Sequence, residues 1–98
     1  MANICENELR FYTDNPENIK VIDRFFDEEF LDSDKQILND SGVINFESKW
    51  TFPEKEMNQL VKLLPDLENL SMVCLSVDWG NYYCEFHYLS DEGDWVLN

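Results

Sequence analysis

Along this chain the spacing of apolar residues switches twice from every second position to every third or fourth and back, a pattern that leaves few solutions other than helices layered on a sheet. From Ile4 to Tyr12 the apolar residues Cys5, Leu9 and Phe11 alternate with Glu6, Glu8 and Arg10, the period of a half-buried strand. Asn7 stands where the apolar face should continue, so a buried carboxamide there must find hydrogen-bond partners. In Thr13-Asp14-Asn15-Pro16-Glu17, Asp14 or Asn15 can accept a backbone N–H, Pro16 suits a first turn and Glu17 suits the positive helix end. The helix that follows should carry a stripe of Ile19, Ile22, Phe26 and Phe30, widened by Val21 and Phe25, and end near Phe30.

Beyond the acidic connection Leu31 to Asp34, Lys35 to Asn39 and Val43 to Thr51 read as a hairpin about the turn Asn39-Asp40-Ser41-Gly42. In its second strand Ile44, Phe46 and Trp50 share one face with Ser48. Thr51-Phe52-Pro53-Glu54 has the form of a capping box opening a second helix, whose face is Met57, Leu60, Val61 and Leu64 and whose stop is Pro65. Leu70 to Trp79 and Tyr82 to Leu89 form another hairpin about Gly80-Asn81. Val73, Leu75 and Val77 oppose Met72 and Cys74, which places the first of these strands inside the sheet. After the turn Asp91-Glu92-Gly93-Asp94, Trp95-Val96-Leu97 reads as a short added strand. The fold expected is α+β and ferredoxin-like, β-α-β-β-α-β with an additional C-terminal strand: one antiparallel sheet with two helices on one face. At 98 residues, and without a repeat or a linker, residues 1–98 should form a single domain.

Charge narrows the function. Twenty-one acidic residues against seven basic ones leave a net charge of -14, which argues against nucleic acid or an anionic membrane as ligand, because both need Lys and Arg to neutralise phosphate. A basic protein partner fits better. Three cysteines, an odd number, and no secretory signal point to a cytoplasmic chain with reduced thiols. No apolar run approaches the length of a membrane span.

No catalytic constellation emerges. Cys84 and His87 differ by an odd number and so leave opposite faces of a strand, against a nucleophile–base pair. One histidine and three cysteines lack paired C-x2-C spacing, and Cys5 and Cys74 suit a core better than zinc. The acidic clusters Asp27-Glu28-Glu29, Asp32-Ser33-Asp34 and Asp91-Glu92-Gly93-Asp94 lack the EF-hand loop, and Gly42, Gly80 and Gly93 are too few for a phosphate loop. No metal or other cofactor is expected. Glu6 and Glu8 should face solvent together.

The aromatic set Trp50, Trp79, Tyr82, Tyr83, Phe86, Tyr88 and Trp95 exceeds what a small core needs. If the sheet face opposite the helices is bare, part of the set would form an apolar patch rimmed by acids, which marks protein recognition. Trp50, Trp79, Tyr82, Tyr83, Tyr88 and Trp95 are therefore the candidate interaction surface. The leading expectation is a non-enzymatic interaction domain, with a second copy of the chain as the economical partner. Two alternatives stand beside it: a small enzyme with a cleft near Glu6, Asn7 or His87, and an acidic mimic of nucleic acid that occupies the basic groove of another protein.

Asn3-Ile4-Cys5-Glu6-Asn7-Glu8-Leu9 resembles the N-W-C-E-N-x-L opening of the YubB-like family of bacterial ferredoxin-like domains, with Ile4 in place of the tryptophan. Phe46-Glu47-Ser48-Lys49-Trp50-Thr51-Phe52-Pro53 is similar to the family's aromatic strand leading into its second helix, and Leu64-Pro65-Asp66-Leu67 and Asp78-Trp79-Gly80 fall where the family has a P-x-L and an acidic-x-Gly turn. The resemblance implies a ferredoxin-like fold in a family found on plasmids and phages and in bacterial genomes. Its biochemical role is unassigned, so no catalytic residue carries over.

Overall fold

The computed structural model describes residues 4–98; Asn3, the first residue of the N-terminal resemblance, lies outside them. Strand β1 (Ile4–Thr13) leads into helix α1 (Pro16–Glu29), and the hairpin β2 (Asp34–Ile37) and β3 (Ser41–Lys49) follows. Helix α2 (Glu54–Leu63) and a short 3-10 turn at Leu67–Asn69 precede β4 (Leu70–Asp78), β5 (Tyr83–Leu89) and β6 (Trp95–Leu97). The six strands form one antiparallel sheet in the order β2-β3-β1-β4-β5-β6, so β1 is central, with β3 and β4 beside it. The fold is thus α+β, and two strands rather than one are added beyond β4. No helix among the described residues is long and apolar enough to cross a membrane.

Both helices cover the same face of the sheet. Ile22, Phe25 and Phe26 of α1 and Met57, Leu60 and Leu64 of α2 share a core with Leu9 and Phe11 of β1, Ile44 and Phe46 of β3, and Met72 and Cys74 of β4. Phe46 meets Phe26 edge-on at 4.9 Å and Phe30 at 4.6 Å between ring centroids, close enough for aromatic pairing to add to burial. Gly42 lies opposite Phe11, whose ring would come within 2.6 Å of any added Cβ, so glycine leaves the room that the ring occupies. At the start of α1 the Asn15 side chain accepts from Glu17 N at 2.9 Å, while Asn18, fully buried, donates to Asp66 O and accepts from Asp66 N, tying that helix end to the segment after α2.

Three sequence expectations are corrected. The first hairpin turns earlier than read, because Leu38 N bonds Ser41 O and Ser41 and Gly42 already belong to β3. The capping box at Thr51 does not form: α2 starts at Glu54 with Pro53 in the cap position and no side-chain cap, and the Thr51 hydroxyl bonds Phe52 O instead. The cause is a corner before the helix, where Thr51 N is held by Lys49 O and Phe52 N by the Tyr83 hydroxyl. Trp50 does not share the face of Ile44 and Phe46, since β3 ends at Lys49 and Trp50 takes a positive φ of 72°, which turns its side chain out to solvent.

Candidate functional site

Strand parity sorts the residues of β4 and β5 onto two faces, and β5 distributes them the wrong way round for a half-buried strand. Towards the helices it sends Tyr83, Glu85, His87 and Leu89, while Cys84, Phe86 and Tyr88 point outward and are exposed. The inward polar groups are accommodated in part, since His87 Nδ1 is buried without a hydrogen-bond partner among the described residues. The Tyr83 hydroxyl accepts from Phe52 N at 3.1 Å and donates to Glu85, and burial first, then that bond to Glu85, pushes its pKa up to about 12. His87 stacks flat on Phe52 with ring centroids 3.8 Å apart, and its Nε2 lies 4.0 Å from a Glu85 carboxylate oxygen.

The inner face of β1 and β4 is polar at the same end. Asn7 Nδ2 donates to Ser48 Oγ at 2.9 Å, and Asn7 Oδ1 accepts from Ser76 Oγ at 2.6 Å, which links three strands. Buried Asp78 accepts from Gly80 N and Asn81 Nδ2 and so closes the β4–β5 corner. Cys5 and Cys74 are buried thiols, Cys5 raised in pKa mainly by burial and Cys74 pushed up to about 12 by the same cause, and both are thereby inert as nucleophiles. Among the residues named for an enzyme cleft, Glu6 lies on the opposite face from Asn7 and His87, so the three do not converge. Cys84 and His87 also lie on opposite faces, as their spacing requires. Among the described residues no group of three or more His, Cys, Asp or Glu is placed to hold a metal ion.

The outer face, which neither α1 nor α2 covers, is organised in rows across the strands. Pairing register places Glu47, Glu6, Val77 and Cys84 in one row, Asp34, Asn45, Glu8, Leu75 and Phe86 in the next, and Gln36, Val43, Arg10, Val73, Tyr88 and Val96 in a third. The first two rows run from acidic or polar residues on β2, β3 and β1 to apolar residues on β4 and β5, whereas the third has Val43 and Arg10 before Val73, and beyond it exposed Tyr12 of β1 pairs with Ser71 of β4. In the first two the boundary falls between β1 and β4. Beside the acidic half, Glu6, Glu8, Asp32, Asn45, Glu47 and Leu75 border an open concavity of about 600 Å³. Arg10, the one basic residue in these three rows, is engaged by Glu8 at 2.8 Å.

The six aromatic residues singled out from the sequence fall into three places. Tyr88 alone lies on the open face. Tyr83 and Trp95 turn inward, Trp95 donating its Nε1–H to Met57 O at 3.1 Å and meeting Phe52 edge-on. Trp50, Trp79 and Tyr82 stand exposed at the end of the sheet where β3 stops, β1 starts and β4 turns into β5, with Tyr82 96% and Trp79 77% accessible. Trp50 and Tyr82 hold positive φ values of 72° and 54° there, which bulky residues seldom adopt. Leu75, Val73, Val77 and Val96 were not among the candidates, because aliphatic residues in a strand look like core until one knows which face is covered. Comparison of the chain with family models, with curated proteins and with solved structures finds no match.

Proposed function

We propose that the chain is a non-enzymatic protein-interaction domain that receives its partner on the open face of the sheet. The observation that carries this reading is the inverted polarity of β5: Phe86 and Tyr88 face solvent beside Leu75, Val73 and Val77 while Glu85 and His87 face the helices. Apolar side chains grouped over three strands and bordered by acids form the kind of contiguous patch that marks a recognition site. The carboxylates lie on α1, on the open face, around α2 and in the β5–β6 turn, a spread that favours the interaction reading over a mimic of nucleic acid, which would gather them on one side.

The same proposal places the fold in the ferredoxin-like class. Its support is the element order β-α-β-β-α-β through β4 and the antiparallel strand order β2-β3-β1-β4, to which β5 and β6 are added. Membership of the YubB-like family rests on the N-terminal residues around Cys5-Glu6-Asn7, and a reducing cytoplasmic setting rests on three unpaired thiols. Immobilised protein exposed to lysate of the cells that make it should retain a protein that the folded double variant Leu75→Thr, Phe86→Thr releases. Equal retention by both would remove the open face from the account.

A further inference from the structure

The structure assigns the open face a specific kind of occupant: a basic amphipathic helix of a partner protein, with its apolar stripe on β4 and β5 and its Lys or Arg side chains over the acidic half. This inference rests on the interaction reading above and adds the chemistry of the partner. Three features lead to it. The first is the division of the face in the two rows through Glu6 and Glu8, where the side chains change from acidic or polar to apolar between β1 and β4. An amphipathic helix laid along that boundary matches both sides at once, because its stripe and its flanking charges run parallel to its axis.

The second feature is width. Neighbouring strands lie about 4.8 Å apart, so β4, β5 and β6 offer an apolar strip of roughly 10 Å between outer strand axes, close to the roughly 10 Å diameter of a helix with its side chains. The third is charge. Glu6, Glu8 and Glu47 on the strands and Asp32 from the segment after α1 surround the concavity beside Leu75, and among the described residues no basic side chain borders it. A second copy of this chain fits worse: each copy carries a net charge of -14, so face-to-face pairing would bring two strongly acidic molecules together with only Arg10 and Lys49, among the described residues of that face, to offset them.

The test uses the full chain and two synthetic peptides of one amphipathic pattern, leucine with lysine and leucine with glutamine, followed by backbone amide NMR shifts and by titration. The lysine peptide should shift resonances of Glu6, Glu8, Leu75, Phe86 and Tyr88, and should bind at least about tenfold more tightly than the glutamine peptide. The triple variant Glu6→Gln, Glu8→Gln, Glu47→Gln should lose that tenfold advantage while keeping the weaker apolar binding. The variant Leu75→Thr, Phe86→Thr should lose binding of both peptides at this face. Equal affinity for the two peptides, both on the open face, would overturn the basic-partner inference and leave the interaction reading intact. Lysine-peptide shifts confined to the acidic surface of α1 would overturn the inference. A dimeric solution mass with these same resonances protected in the free protein would also overturn it, in favour of a second copy. No shift on this face with either peptide would sink both the inference and the reading beneath it.

Discussion

Asn7 shows how a single polar side chain sets the character of one end of this domain. It is buried at the centre of the sheet, between Phe46 on β3 and Ser76 on β4, and its carboxamide uses both ends: Nδ2 donates to Ser48 Oγ and Oδ1 accepts from Ser76 Oγ. Removing it would leave the buried Ser76 hydroxyl without the acceptor it now uses, while Ser48 keeps its bond to Thr51 O, and an unsatisfied buried polar group costs more than the bond it lost. Asn7→Ala should therefore destabilise the fold by about 2–4 kcal/mol in urea unfolding. A loss under about 0.5 kcal/mol would mean that water reaches the site. Cys5 and Cys74, buried on the same inner face, behave as small core residues whose thiols stay protonated.

At the level of elements, β5 and the corner before it hold most of what is unusual. A strand that turns Phe86 and Tyr88 outward and Glu85 and His87 inward is stable here because Phe52 covers the His87 ring and Tyr83 takes up both Phe52 N and Glu85. The corner ends on Tyr82 in the left-handed region, with a side chain that is almost wholly exposed and so gains little from packing. Asn tolerates that conformation better. Tyr82→Asn should therefore stabilise the domain by roughly 0.5–1 kcal/mol, read as a raised melting temperature, and a loss of stability would show that the ring has a packing role. Much of the element order was legible, because β1, α1, α2 and β4 carry apolar periods that match their burial. The sidedness of β5 was not: Tyr83, Phe86 and Tyr88 are all aromatic, and composition alone does not separate inward from outward rings. Thr51 and Glu54 have capping-box spacing, but the corner at Trp50 takes up those residues first, so the start of α2 does not follow from the spacing. Asn7 breaks the apolar parity of its strand, but its partners Ser48 and Ser76 follow only from the register of β3 and β4.

For the molecule as a whole, the helices close one face of the sheet and leave the other divided between acids and apolar side chains. A small domain gains most by burying such residues, so Val73, Leu75, Val77, Phe86 and Tyr88 on an uncovered face indicate that their burial is completed by something else. That division was half visible in the sequence. The alternation in β4 was clear, but which of its two apolar faces met the helices depended on the order of strands in the sheet. The central claim is that these outward residues are available to a partner and are not needed for folding. The measurement that tests it most directly is urea unfolding of the double variant Leu75→Thr, Phe86→Thr. On an open face the two changes together should cost less than about 2 kcal/mol, whereas removing a Leu and a Phe from a packed core costs about 5 kcal/mol or more. The smaller loss is the result predicted here; the larger would mean that this face belongs to the core and is not free to receive a partner.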